Sequence, residues 1–336
     1  MQQQARDRFR FGIGEWYGRL FHKMTQDERV LYATIQEMPK KSRPPQPCPF
    51  QSEREIVPCT KAGGVCSVRR YVEWAGTRQV EIVPDGSGRL RTVCPYRFRE
   101  NGLIYGWVSQ ELLGDNDPRI VSEVGFLTGV RGQESDETEG SDVGRIDQVL
   151  LVPGSKPLEW CALEIQAVYV SGASMGGDFE AIKNHTDGTI PFPAGYRHPD
   201  YRSSGPKRLM PQLQIKVPTL RRWGKKMAVV VDRDFYEALA SMDRVRDVSN
   251  CDIVWFIVDL DDSGTSDRAR LTPGDVRLTT LERAVEGLTA GLPVSKDEFE
   301  RRILNQLAAQ ERRQRVTRGE GRPLRGAREA TAEPGA

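Results

Sequence analysis

Gly144-Arg145-Ile146-Asp147-Gln148-Val149-Leu150-Leu151-Val152, followed by Glu159-Trp160-Cys161-Ala162-Leu163-Glu164-Ile165-Gln166-Ala167-Val168-Tyr169-Val170, is the stretch on which the fold turns. Each run is short, apolar and rich in β-branched residues. Each is closed by turn signals, Pro153-Gly154-Ser155 after the first and Ser171-Gly172 after the second. Both therefore read as strands. Paired as a hairpin, they bring Asp147 near Glu164 and Gln166, which lie two apart and share one face of their strand. Two carboxylates meeting at one point repel each other unless a cation lies between them, and an oxygen-rich site of this kind suits Mg²⁺. The bland alternative is a solvated strand face.

Outward from this pair, strands and helices alternate. Lys225 to Asp232 and Asp252 to Asp259 read as further apolar strands of the same sheet, separated by a helix near Asp234 to Ser241. Such alternation predicts an α/β layer fold. Thr25 to Glu37 reads as a helix with Thr25 as N-cap and Glu28 three residues on. Residues 101 to 114 read as another, ending at Gly114, and two more are expected near Thr280 to Ala290 and Lys296 to Gln310. Phe299, Ile303, Leu304 and Leu307 form an apolar stripe on the last, a pattern more often core than dimer contact. The aromatic and glycine-rich residues 9 to 18 suggest a tightly packed turn, and Lys40 to Pro49 an extended connector. Ser171 to Ser204 reads as a loop with plain loop histidines at His185 and His198. The acidic run from Arg131 to Ser141 reads as solvated, and residues 311 to 336 as a disordered tail.

A chain of 336 residues holds about two domains by the usual length prior. It has no run of 18 apolar residues to cross a bilayer, and Met1-Gln2-Gln3-Gln4 lacks the layout of a secretory signal, so no membrane partner and an intracellular location are expected. A net charge of +2 says little about nucleic acid by itself. The local distribution says more. From Tyr201 to Val231 the cations Arg202, Lys207, Arg208, Lys216, Arg221, Arg222, Lys225 and Lys226 stand without a single acidic residue. This is an electrostatic footprint suited to phosphates, with a merely solvated basic face as the alternative. Gln212 and Gln214 add groups able to read base edges.

Of six cysteines, Cys48, Cys59, Cys66 and Cys94 follow C-x10-C-x6-C-x27-C, flanked by Gly and Pro. In a reducing cytosol four clustered thiols point to a tetrahedral metal site, zinc or iron, before disulfides. Four unrelated buried thiols are the competing reading, since paired C-x2-C knuckles are missing.

Cys48-Pro49-Phe50, Cys59-Thr60, Gly64-Val65-Cys66, Val93-Cys94-Pro95 and Leu163-Glu164-Ile165-Gln166, in that order, resemble the NotI family of type II restriction endonucleases over roughly residues 45 to 260. Asp147 with Glu164-Ile165-Gln166 is likewise similar to the D-xn-(D/E)-x-K pattern of restriction-endonuclease-like nucleases, with Gln166 where Lys is usual. The resemblance implies a restriction-endonuclease-like core, a mixed central sheet flanked by helices, over 101 to 310. An N-terminal arm and four-cysteine module would occupy 1 to 100, with residues 201 to 231 as the basic DNA-binding segment. It implies Cys48, Cys59, Cys66 and Cys94 as ligands of structural iron, with zinc as the alternative. It implies Asp147, Glu164 and Gln166 as the catalytic set around Mg²⁺, with Glu123 as the upstream acidic residue. Lys207, Arg208, Lys216, Arg221, Arg222 and Lys225 are the expected DNA contacts. A homodimer in the bacterial cytoplasm, cutting double-stranded DNA at a GC-rich palindrome within a restriction-modification system, completes the expectation. A metal-stabilised DNA-binding or regulatory protein with an inactive nuclease-like core is the competing class, and a small redox protein a third.

Overall fold

The structure is a computed structural model that describes residues 6–51, 56–128, 142–289 and 294–317. Contacts divide the chain into one unit through Ala290 and a second from Gly291.

The first unit begins with a five-stranded antiparallel sheet. Strands β1 (Arg8–Trp16), β2 (Arg19–Leu20), β3 (Val65–Glu73) and β4 (Val80–Ile82) run in the order β2-β1-β3-β4, and β5 (Arg91–Thr92) pairs with β3. Residues 9 to 18, expected as a turn, are mostly strand. Their glycines serve close packing: a Cβ at Gly12 would stand 2.6 Å from Pro193 Cγ, and one at Gly14 would stand 2.6 Å from Leu90 Cδ2. Helix α1 (Gln26–Glu37) starts at the expected capping box, with Thr25 Oγ1 accepting from the Glu28 N–H at 3.3 Å and Glu28 Oε2 accepting from the Thr25 N–H at 2.9 Å. Helix α2 (Leu103–Leu113) ends at Gly114, which takes the left-handed conformation that glycine adopts without strain.

The second sheet follows. In chain order come β6 (Arg119–Thr128), β7 (Asp142–Leu151), β8 (Trp160–Ile165), β9 (Tyr169–Gly172), α3 (Gly176–Asn184), β10 (Arg197–Asp200), α4 (Tyr201–Ser204) and α5 (Met210–Arg222). Then come β11 (Met227–Asp232), α6 (Arg233–Glu237), β12 (Ile253–Asp261), β13 (Arg270–Thr279) and α7 (Leu281–Thr289). Six of these strands form a mixed sheet in the order β13-β12-β11-β8-β7-β6, with β8, β11 and β12 parallel and the remaining neighbours antiparallel. The segment expected as one strand from 159 to 170 is split, because the chain leaves the sheet after Ile165. There the Gln166 N–H still donates to Val230 O at 3.0 Å, but the Val168 N–H turns to Thr92 O at 2.9 Å. The expected loop from 171 to 204 contains α3 and a two-stranded sheet of β9 and β10.

Helices cover the central sheet on both faces. Ile104, Tyr105 and Val108 of α2 pack with Leu150, Leu163, Val230 and Phe256. Leu213, Val217 and Leu220 of α5 pack with Val149, Ala162 and Val229. Alternation thus sends Leu163 to the α2 side and Glu164 to the α5 side. Val229, Val230 and Val231 are wholly buried, each worth about 1.5–3 kcal/mol in apolar burial.

In the second unit, helix α8 (Lys296–Thr317) continues past residue 311, where the sequence reading begins its tail. Phe299, Ile303, Leu304 and Leu307 are exposed, not core. The acidic run 131–141 and residues 318–336 lie outside the described residues.

Candidate active site

The hairpin of β7 and β8 fixes the centre of the site by register. Gln148 pairs with Leu163 and Val149 with Ala162, so the next rung sets Asp147 opposite Glu164. On the other side of β7, Ser122 pairs with Gln148 and Val124 with Ile146, which sets Glu123 of β6 opposite Asp147. Parallel pairing on the far side of β8 puts Val229 beside Glu164. Glu123, Asp147 and Glu164 therefore occupy one rung across three adjacent strands.

Glu123 is exposed and carries φ of 56° inside a strand. A non-glycine residue held there costs about 1–3 kcal/mol, and such outliers gather at functional sites. The cost falls on the acidic residue that the register sets opposite Asp147.

Asp147 and Glu164, far apart in sequence, meet on one atom. Lys216 Nζ donates to Asp147 Oδ1 and to Glu164 Oε2, each at 2.8 Å. Lys216 comes from α5, between Leu213 and Val217 on its buried face. Its side chain is 2% exposed and that of Glu164 7%, whereas that of Asp147 is 48% exposed. The site is buried at its base and open to solvent at Asp147. Burial pushes the Glu164 carboxyl up to about 7; the Lys216 ammonium opposes this and Asp147 adds to it. Burial works against the Lys216 ammonium as well, but Glu164 and Asp147 more than offset it and hold its pKa above the usual value.

Two oxygen-bearing carboxylates converging on a cation are the donor chemistry that Mg²⁺ takes, and Mg²⁺ commonly uses one or two protein carboxylates together with water and phosphate. The pair fits that ion. Among the described residues no group of three or more His, Cys, Asp or Glu side chains is placed to hold a metal, so a third protein carboxylate is not in position.

Gln166 is half-buried, and its Nε2 donates to Ala167 O at 2.6 Å. It also lines a cavity of about 500 Å³ with Lys61, Tyr169, Met175 and Arg208. The Arg208 guanidinium lies 4.7 Å over the Tyr169 ring. At the end of β11, Asp232, fully buried, accepts from the Thr92 N–H at 2.6 Å and the Phe235 N–H at 2.8 Å, and burial pushes its pKa up to about 6.

The basic segment divides by exposure. Lys207, Arg208 and Arg222 are exposed, as are Gln212 and Gln214. Lys225 is half-buried, 5.4 Å from the Trp160 ring centroid. Arg221 is engaged by Asp252, at 2.9 and 2.6 Å, and by Glu282 at 3.1 Å. Lys216 is no surface cation at all, and its place at the carboxylates is what sequence reasoning missed. One signal was available: a single lysine set within the apolar stripe Leu213, Val217 and Leu220.

The four cysteines are brought into one neighbourhood. Cys48 and Cys59 flank an antiparallel bridge, with the Cys48 N–H donating to Val57 O at 2.8 Å and the Cys59 N–H to Gln46 O at 2.7 Å. The Cys94 N–H donates to Cys66 O at 3.2 Å, and Cys48, Cys59 and Cys66 pack with Phe50. All four are free. Burial pushes the thiols of Cys59, Cys66 and Cys94 up, with further upward contributions from neighbouring thiols, Cys48 acting on Cys59 and Cys94, and Cys94 on Cys66. Their side chains nevertheless do not present three ligands to a common point. The four cysteines are neighbours in the fold, but the ligand geometry of the expected metal module is not present.

The family model described as Restriction endonuclease NotI matches residues 33–271, a span that includes the cysteines, the carboxylate pair and the basic helix. No curated protein matches the chain.

Proposed function

Because this chain belongs to the NotI restriction endonuclease family, we propose that it is a type II enzyme that hydrolyses double-stranded DNA with Mg²⁺, acting as a homodimer on a GC-rich palindrome. The observation that carries this reading is the convergence of Asp147 and Glu164 at 2.8 Å on a single ammonium, on one rung with Glu123.

Asp147, Glu164 and the backbone carbonyl of Ile165 would hold Mg²⁺, and Glu123, one strand over on the same rung, would complete the shell only once its carboxylate moved toward Asp147. When bound, Mg²⁺ supplies Lewis-acid activation of water and offsets charge building on the phosphate. Gln166 is neither base nor cation, so its part is to orient the attacking water by hydrogen bonds. The exposed Lys207, Arg208 and Arg222, with Lys225, are suited to backbone phosphates, and Gln212 and Gln214 to base edges. Two-fold symmetry of the protein would match that of a palindromic target. We also propose Cys48, Cys59, Cys66 and Cys94 as the site of a structural iron, with zinc as the alternative. The proposal is supported by their shared neighbourhood and is checked by elemental analysis of protein purified without added metal.

The nuclease proposal is tested by incubating the protein and Mg²⁺ with high-complexity genomic DNA and sequencing the fragment ends. Ends that share one palindrome and one stagger are expected. Intact DNA, or ends without a common sequence, contradicts the proposal.

A further inference from the structure

The strand motif of this site lacks a cation, because Gln166 stands two residues beyond Glu164. The structure places a cation there by another route. Lys216 Nζ reaches both carboxylates from α5, with its side chain 2% exposed. We infer that Lys216 is the positive pole of the cleavage site, a positioning residue that supplies from the helix the charge absent from the strand. The inference rests on the nuclease reading above and deepens it.

Three features separate this role from ordinary packing. An apolar side chain at 216 would suit its neighbours Leu213, Val217 and Leu220 better, since burying an ammonium is costly unless it is paired. The ammonium has both carboxylates as partners, so it sets the distance between the two groups that are to share a metal. Gln166 stands two residues beyond Glu164 with its N–H still bonded to Val230 O at 3.0 Å, so a long cationic side chain starting at 166 is close enough in the chain to bring a charge to the same carboxylate. Lys216 thus acts through Asp147 and Glu164. Because it shares the oxygens that a metal needs, it also competes with the metal for them.

That competition gives a signature that a structural prop would not produce. Lys216→Met should bind Mg²⁺ about tenfold more tightly in DNA-free protein, measured by calorimetry, because a neighbouring positive charge is gone. The same variant should cut about 10–100-fold more slowly, the usual penalty for losing a partner of metal-ligating carboxylates. The loss should fall on kcat, with KM for DNA little changed. Adding Gln166→Lys to Lys216→Met should restore at least about tenfold of the lost rate. Lys216→Gln, which keeps a hydrogen-bond donor, replaces the methionine variant if the latter does not fold.

Cutting at the wild-type rate with unchanged Mg²⁺ affinity would overturn the inference. So would a parallel fall in cutting and Mg²⁺ binding in a folded variant, or failure of Gln166→Lys to rescue it. Failure of the nuclease reading looks different: wild-type protein would not cut at all.

Discussion

Among the described residues, two places bury a cation between two carboxylates, and they are built for opposite ends. Arg97 lies with its side chain 0% exposed, its Nε donating to Glu15 at 2.9 and 3.0 Å, Nη1 to Glu100 at 2.9 Å and Nη2 to Ala269 O at 2.9 Å. Lys216 gives two 2.8 Å bonds from one atom. The guanidinium is a fork: it assigns each acceptor its own nitrogen and keeps the carboxylates apart. The ammonium is a point, so it draws the carboxylates together. Exposure sharpens the contrast, since Glu15 is wholly buried and the Asp147 side chain is 48% exposed. A closed fork ties β1 to the residues after β5 and to the start of β13. An open point leaves oxygens that a hard ion can claim.

The comparison breaks most visibly at Glu164. Glu164→Gln should lower the cleavage rate by at least about 10³-fold, or roughly 4 kcal/mol of transition-state stabilisation, while leaving DNA binding intact. Metal-free stability should change the other way. Burial raises the Glu164 pKa from 4.5 to about 7, so between those values the folded state binds more protons than the unfolded one. Stability from this group is therefore present at low pH and lost as pH rises from 4.5 through 7. Above pH 7 the glutamine variant should melt higher than the metal-free wild type, and at pH 4.5 the gap should close. A lower melting temperature at pH 8 would put the Lys216 site in the same class as the Arg97 site.

Glu15→Ala tests the fork. Removing one partner from a buried pair leaves Arg97 without its main acceptor and should cost about 3–5 kcal/mol in denaturant unfolding, with cleavage by the folded fraction unchanged. A cost below about 1 kcal/mol would mean that this pair behaves like a surface one.

Much of the centre was legible in the sequence. β-branched runs announced β7 and β8, with Pro153-Gly154 marking the turn between them, and the spacing of Asp147 and Glu164 announced their meeting. Thr25 and Glu28 announced the start of α1, and Gly114 the end of α2. Other parts were hidden for physical reasons. β1 alternates Phe9, Phe11 and Ile13, but Gly12 and Gly14 looked like turn residues, whereas they are small because Pro193, Leu90 and Ser67 press against them. β8 was read too long because its last residues are as apolar as the rest. What ends it is a tertiary bond, from the Val168 N–H to Thr92 O, that no local pattern contains. Lys216 was read as a surface cation because charge runs usually are solvated. Its burial follows from the face of α5 on which it falls.

The central claim is that Asp147 and Glu164 share one hard cation. Crystals of the protein soaked in Mn²⁺, a scatterer that can take the place of Mg²⁺, measure this directly through anomalous difference density. One peak within bonding distance of both carboxylates is the result expected. A well-occupied peak elsewhere, or none with Asp147 and Glu164 still held by Lys216 at saturating Mn²⁺, would contradict it.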